Sequence, residues 1–222
     1  MKISENSPLS RYEWAPEQVR KLLPLSLTKI VADIGARDAR LRTIIADIGG
    51  EWHGYDLKPA TDIVIQWNIE QAANPLFPKP AVVLMLDVLE HLCNPWSAMQ
   101  NVADYLLPDG HLILTTPNPL WSRSRMWALA HGTPTCFTQS DLDLNHHVFT
   151  SWPHIVERLL GDCGFTVIRC DTLDGWTKWP IGPITLRYPV RLALACANKW
   201  IESRDQAACG MSYGVVAKKA AL

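Results

Sequence analysis

Three groups of residues have types and spacings that could do chemistry. The first joins a glycine to two acids. Val31-Ala32-Asp33-Ile34-Gly35-Ala36 is an apolar run with an acid two residues before a glycine, and Asp56 ends the segment EWHGYD at 51–56. Glycine lets a strand turn tightly into a helix, and a carboxylate ending the next strand can accept hydrogen bonds from both hydroxyls of a ribose. Together they point to an adenosine-containing ligand. A dinucleotide would ask for G-x-G-x-x-G, but Arg37 and Arg40 hold the second and third glycine places. That loss suits a ligand without a pyrophosphate better than NAD. The second group is the adjacent pair His146 and His147. Imidazole titrates near neutral pH, so either ring could be a general base, and both could equally be ordinary loop residues. His147 is the better candidate of the two, because the apolar Val148-Phe149 that follows should anchor it inward. The third group, Arg123 and Arg125, could clamp an anionic acceptor or line a solvated helix face.

Positioning these groups requires a parallel sheet. KIVADIG (29–35), EWHGYD (51–56), DIVIQW (62–67), AVVLMLDVL (81–89), HLILTTPN (111–118), FTVIRCD (165–171) and MSYGVVAKK (211–219) read as seven strands. The 81–89 run is the most apolar and suits a central strand buried on both faces. Between strands, helical patterns are expected after Pro16, across 36–48 with Leu41, Ile44, Ile45 and Ile48 on one face, from Pro95 to Leu107, around 121–130, across 152–161 and after Pro189. Such alternation specifies an α/β fold with helices on both faces of the sheet and a ligand at the carboxyl ends of the strands. The chain is expected to be one domain: an N-terminal helical segment (1–28), a ligand-binding half (29–118) and a second half (119–222). The stretches 119–150 and 172–209 are long departures from minimal alternation and rich in aromatic residues. They are expected to carry acceptor choice, as lid-like insertions.

Composition narrows the function classes. Among the 222 residues, 21 Lys+Arg stand against 22 Asp+Glu, so the chain lacks the basic surplus a nucleic-acid binder needs. Ten tryptophans are a heavy load, some of which could line an apolar site. None of the six cysteines forms a C-x-x-C pair, so free thiols and a cytoplasmic setting are expected. The start MKISENSPLSRYEW lacks an apolar secretory core, and the low-charge stretch between Arg191 and Lys199 is too short to span a bilayer. A peripheral membrane contact remains compatible, through a helix whose Val190, Leu194, Ala197 and Ile201 share one face near Trp176, Trp179 and Trp200.

With these residues in place, the chain resembles the class I S-adenosylmethionine-dependent methyltransferases. VADIGA (31–36) resembles their first motif, and GYD (54–56) the acid that holds the ribose. WNIE (67–70) resembles the segment that meets the adenine, LDVLEHLCNP (86–95) the strand-four motif, and LLPDGHLILTTPN (106–118) the turn into strand five. Residues 145–165 resemble a later His–Phe-Thr–Gly-Phe region, and 117–134 resembles the MetW proteins of methionine biosynthesis. The resemblance implies a Rossmann-like, doubly wound, mostly parallel seven-stranded sheet with an antiparallel last strand. It also implies S-adenosylmethionine as cofactor, bound by Asp33, Gly35, Ala36 and Arg37, by Asp56 and Leu57, by Asn68 and Ile69, and by Asp87 and Val88. The methyl group would pass by in-line displacement to an oxygen or nitrogen of a small molecule, with His147 or His146 as base. Arg37 stands where the family usually has another glycine. It would either crowd the methionine part of the cofactor or point to solvent, and the alternative reading is a degenerate module that binds a partner protein. Asn68 replaces a frequent Asp but keeps a carbonyl acceptor. Asp87-x-x-Glu90-His91 is similar to a segment by which some ubiquinone-biosynthesis O-methyltransferases hold a divalent ion. Leu-Glu-His is common without one, so no metal is expected, and Asp87 and Glu90 are expected to shape the cofactor loop.

Overall fold

A computed structural model describes residues 1–175 and 188–220 of the chain. Its centre is a sheet of eight strands: β1 (Glu5–Asn6), β2 (Ile30–Ile34), β3 (Glu51–Asp56), β4 (Val64–Gln66), β5 (Val82–Leu86), β6 (His111–Pro117), β7 (Phe165–Leu173) and β8 (Ser212–Lys219). Their order is β1-β7-β8-β6-β5-β2-β3-β4, and only β8 runs antiparallel to its neighbours, β6 and β7. The seven expected strands are all present. The eighth, β1, is two residues long and pairs with β7 at the edge.

Helices cover both faces: α1 (Arg11–Leu22), α2 (Arg42–Asp47), α3 (Pro95–Tyr105), α4 (Ser122–His131), α5 (Gln139–Asn145), α6 (Pro153–Asp162) and α7 (Tyr188–Arg204). The alternation of side chains along a strand explains why β5 is apolar throughout. Val82 and Leu84 join the cluster under α1 and α2 with Trp14, Val19 and Ile45. Val83 and Met85 join the cluster on the other face with Met99, Val102, Val156 and Leu160 from α3 and α6.

Three expectations about helices need correcting. Pro16 is not in a first turn. Ser10 caps α1, its amide donating to the Glu13 carboxylate at 2.9 Å, so Pro16 falls inside the helix. The 36–48 segment is helical only over α2, because Arg37 (φ 32°) and Ala39 (φ 58°) take left-handed backbone conformations that a right-handed helix cannot contain. The 119–150 connection holds a second helix, α5, beside the expected α4. On α7, Val190 and Leu194 are 61% and 47% exposed, so this face is not packed core among the described residues. Trp176 and Trp179 lie outside the described residues. All six cysteines are free, and no helix of the described residues is long and apolar enough to cross a membrane.

Candidate functional site

The parallel register sets Ile34 beside Tyr55 on one side and Met85 on the other, so β2, β3 and β5 deliver their following loops to one edge. The chain leaves β2 toward β3 on one side and β5 lies on the other. This reversal opens the crevice where ligands of such sheets bind.

Gly35 is a glycine for two reasons. Its φ is +81°, and a Cβ there would sit 2.5 Å from Val88 Cγ2. The β2 loop therefore lies directly against the β5 loop, with Ala36 buried beneath it. Its amides are held by β3: Gly35 and Ala36 N–H both donate to the Tyr55 carbonyl, at 2.8 and 3.1 Å. Arg37 donates its amide to Asp56 Oδ2 at 3.0 Å, and Lys58 donates its own to Oδ1 at 2.7 Å. Each carboxylate oxygen has two acceptor sites, so Asp56 is fixed in place and retains capacity for a diol. The Arg37 side chain is exposed, which matches the solvent-directed alternative rather than the crowded one. Leu57 is also exposed, and its carbonyl accepts from Gln66 Nε2 at 3.2 Å.

Asp33 is buried under this loop. Burial pushes its carboxyl up to about 7, against the help of a 3.0 Å hydrogen bond from Trp52 Nε1. Asn68 Oδ1, the carbonyl acceptor expected to face a ligand, already accepts the Glu70 amide at 3.0 Å, so the residue presents its Nδ2 donors instead. Ile69 is buried in the core with Trp67, so it presents a floor rather than an open contact. Asp87, with φ 53°, carries an ion pair to Arg11 at 2.6 Å and accepts from Thr115 Oγ1 at 3.0 Å. Burial raises its pKa, and Arg11 opposes the rise. Arg11 carries no motif that would mark it in the sequence. It lies at the start of α1, and its buried Nε has no hydrogen-bond partner. A polar SRYEW segment gave no sign that it would fold over the sheet edge.

A second set of residues joins the β5 loop to the 119–150 connection. The Glu90 carbonyl accepts the amides of Val148 (2.9 Å) and Phe149 (3.1 Å). Its carboxyl is buried and accepts from Thr116 Oγ1 at 3.0 Å. That hydroxyl is 2.7 Å from Ser151 Oγ. Burial, then the nearby Asp87, pushes the Glu90 carboxyl up to about 8. His91 Nδ1 lies 2.7 Å from the Asn145 carbonyl, and His147 Nδ1 lies 2.5 Å from the Cys136 carbonyl. A carbonyl only accepts, so both rings carry hydrogen on Nδ1 and, when neutral, a lone pair on Nε2. The two rings meet edge to face, with centroids 4.9 Å apart. Burial and the neighbouring His147 lower the pKa of His91.

His146 is placed differently. It caps α5 in a left-handed conformation, is exposed, and lies 3.7 Å from Cys93 Sγ. Val148 is 40% exposed, so His147 is anchored inward by the Phe149 side chain and by the Val148 and Phe149 amides on the Glu90 carbonyl, not by the Val148 side chain. Arg125 is no anion clamp. Its Nε donates to the Leu120 carbonyl at 2.6 Å, and its guanidinium pairs with Asp205 at 2.5 Å. Arg123 lies over the Trp121 ring.

The sequence profile of the methyltransferase domain family matches residues 10–170. The chain belongs to that family, and its fold and motifs are those of the class I S-adenosylmethionine-dependent methyltransferases. Solved structures share the fold at low identity. A SAM-dependent methyltransferase from Archaeoglobus fulgidus is 18% identical over 95% of each chain, with a TM-score of 0.61. Magnesium protoporphyrin IX methyltransferase from Synechocystis, solved with bound SAH, is 16% identical over 94% of this chain and 84% of its own, with a TM-score of 0.55. A methyltransferase in complex with the Haloferax volcanii Trm112 activator is 14% identical over 96% and 91%, with a TM-score of 0.59. No curated protein matches the sequence.

Proposed function

We propose that the chain moves the methyl group of S-adenosylmethionine to an oxygen or nitrogen of a small-molecule acceptor. Asp56 carries the reading. Its carboxylate is pinned by two backbone amides at the end of β3 and keeps acceptor capacity for the ribose hydroxyls. The rest of the crevice fits the cofactor. Gly35 leaves a cradle that a Cβ would fill, Asn68 offers Nδ2 to the adenine, and the orphaned Nε of Arg11 suits a carboxylate. The sulfonium donor is already activated, so the protein supplies mainly proximity and orientation. A base is needed only for an acceptor that still holds its proton. His147, half-buried with Nδ1 tied to the Cys136 carbonyl and Nε2 on the other side of the ring, suits that task better than the exposed His146. The exposed Arg37 side chain favours this reading over a degenerate module that acts by binding a partner protein.

Calorimetric titration with S-adenosylhomocysteine tests the proposal. The wild-type chain binds one equivalent. Asp56→Ala, which deletes charge-assisted hydrogen bonds worth about 1.5–3 kcal/mol, weakens binding by roughly ten-fold or more. An unchanged dissociation constant would overturn the assignment.

A further inference from the structure

Glu90, His91 and His147 each place one candidate donor atom within 4.8 Å of the others. From this cluster we infer a divalent transition-metal site that joins the β5 loop to the 119–150 connection. The expectation of no metal is therefore replaced by this proposal. Of the Asp87-x-x-Glu90-His91 segment only Glu90 and His91 take part, because Arg11 and Thr115 hold the Asp87 carboxylate. The third ligand, His147, comes from a different part of the chain.

Three observations support an ion rather than a chance cluster. Both imidazoles donate Nδ1–H to backbone carbonyls, of Asn145 and Cys136. Metal-binding histidines usually make such a bond, which fixes the ring and leaves Nε2 to coordinate. Glu90 is 1% exposed, yet no cation lies within ion-pair distance of it among the described residues. A buried carboxylate is costly without a compensating positive charge. The backbone also preassembles the set, since the amides of Val148 and Phe149 are tied to the Glu90 carbonyl. At bond lengths of about 2.0–2.2 Å a tetrahedral ion holds its donor atoms about 3.3–3.6 Å apart, so donor separations of up to 4.8 Å close by roughly 1–1.5 Å on binding.

Two nitrogens and one oxygen favour zinc, iron or cobalt over magnesium or calcium, which take mainly oxygen ligands. Three protein ligands leave coordination positions open. In the methyl-transfer reading, on which this part rests, those positions would receive a hydroxyl or carboxylate oxygen of the acceptor. His147 would then act as a ligand rather than as the base.

The test is titration of the full chain with Zn²⁺ by calorimetry, repeated with Co²⁺ by visible absorption, without cofactor. One equivalent binds to the wild type. His91→Ala, His147→Ala and Glu90→Gln each weaken binding by about ten-fold or more. Glu90→Gln keeps the side-chain volume and an acceptor for Thr116, and circular dichroism verifies that each variant is folded. Cys93→Ser/His146→Ala, which removes the nearby exposed thiol and imidazole, retains wild-type affinity. The proposal is overturned if the wild type shows no stoichiometric binding, or if folded His147→Ala binds as tightly as wild type. Loss of binding in Cys93→Ser/His146→Ala alone also overturns it. S-adenosylhomocysteine titrations run beside these separate the two readings: intact cofactor binding without Zn²⁺ binding removes the ion site alone.

Discussion

At the scale of single residues, Gly35 and Asp33 make opposite demands on the same loop. Gly35 and Gly49 share a φ near +80°, but a Cβ on Gly49 would meet nothing within 4 Å. Left-handed strain alone costs an alanine about 1–2 kcal/mol. Gly49→Ala should lose about that much in denaturant unfolding. Gly35→Ala should lose clearly more, because it adds the clash with Val88. Equal losses would mean that the β5 loop yields freely. Asp33 gives a pH test. Its folded pKa, about 7, lies above its ordinary 3.8. The native state therefore binds more protons than the unfolded chain between those values, and stability falls as pH rises through that window. Asp33→Asn should flatten the decline, with a gain of up to roughly 4 kcal/mol above pH 7. Parallel stability–pH curves for the two proteins would refute a buried, poorly compensated carboxyl.

Elements show which parts of the molecule a sequence can declare. Long buried strands such as β5, apolar at every position, and β6, with its Leu112-Ile113-Leu114 run, announce themselves because both faces are covered. The two-residue β1 carries too little pattern to register. Apolar spacing across 36–48 overstates the helix because it is blind to the positive φ of Arg37 and Ala39. In the site, Gly35 and Asp56 were legible from strand-end position. The joining of Glu90, His91 and His147 was not, because it depends on tertiary folding of the 119–150 connection. The α5 helix did leave a signal. Thr138 and Asp141 form a reciprocal cap, with the Asp141 carboxylate accepting from the Thr138 amide at 3.0 Å. Such spacing marks a helix start even where QSDLDLN lacks a buried residue. Because the His147 amide bonds to the Asp141 carbonyl at 3.3 Å, this cap also steadies the histidine. Thr138→Ala should cost about 1 kcal/mol and speed amide exchange across 139–147 while leaving β5 protected. Unchanged exchange there would show that α5 does not depend on its cap.

Over the whole molecule, the cofactor crevice has no element of its own. As proposed, it is assembled from the ends of β2, β3 and β5, the segment after β4, and Arg11 of α1. Unfolding any of these dissolves the site, so a ligand that binds there stabilises the entire domain by mass action. At one hundred times the dissociation constant the gain is about 2.7 kcal/mol. For a domain of this size that corresponds to roughly 5–10 °C in Tm. Scanning calorimetry with S-adenosylhomocysteine should show one transition that moves upward as a unit. At the same ligand concentration, Asp56→Ala should retain only part of the shift, in proportion to its weaker affinity. A wild-type transition that splits, with only part moving, would mean that the 29–118 and 119–222 halves unfold separately and that the crevice belongs to the first alone.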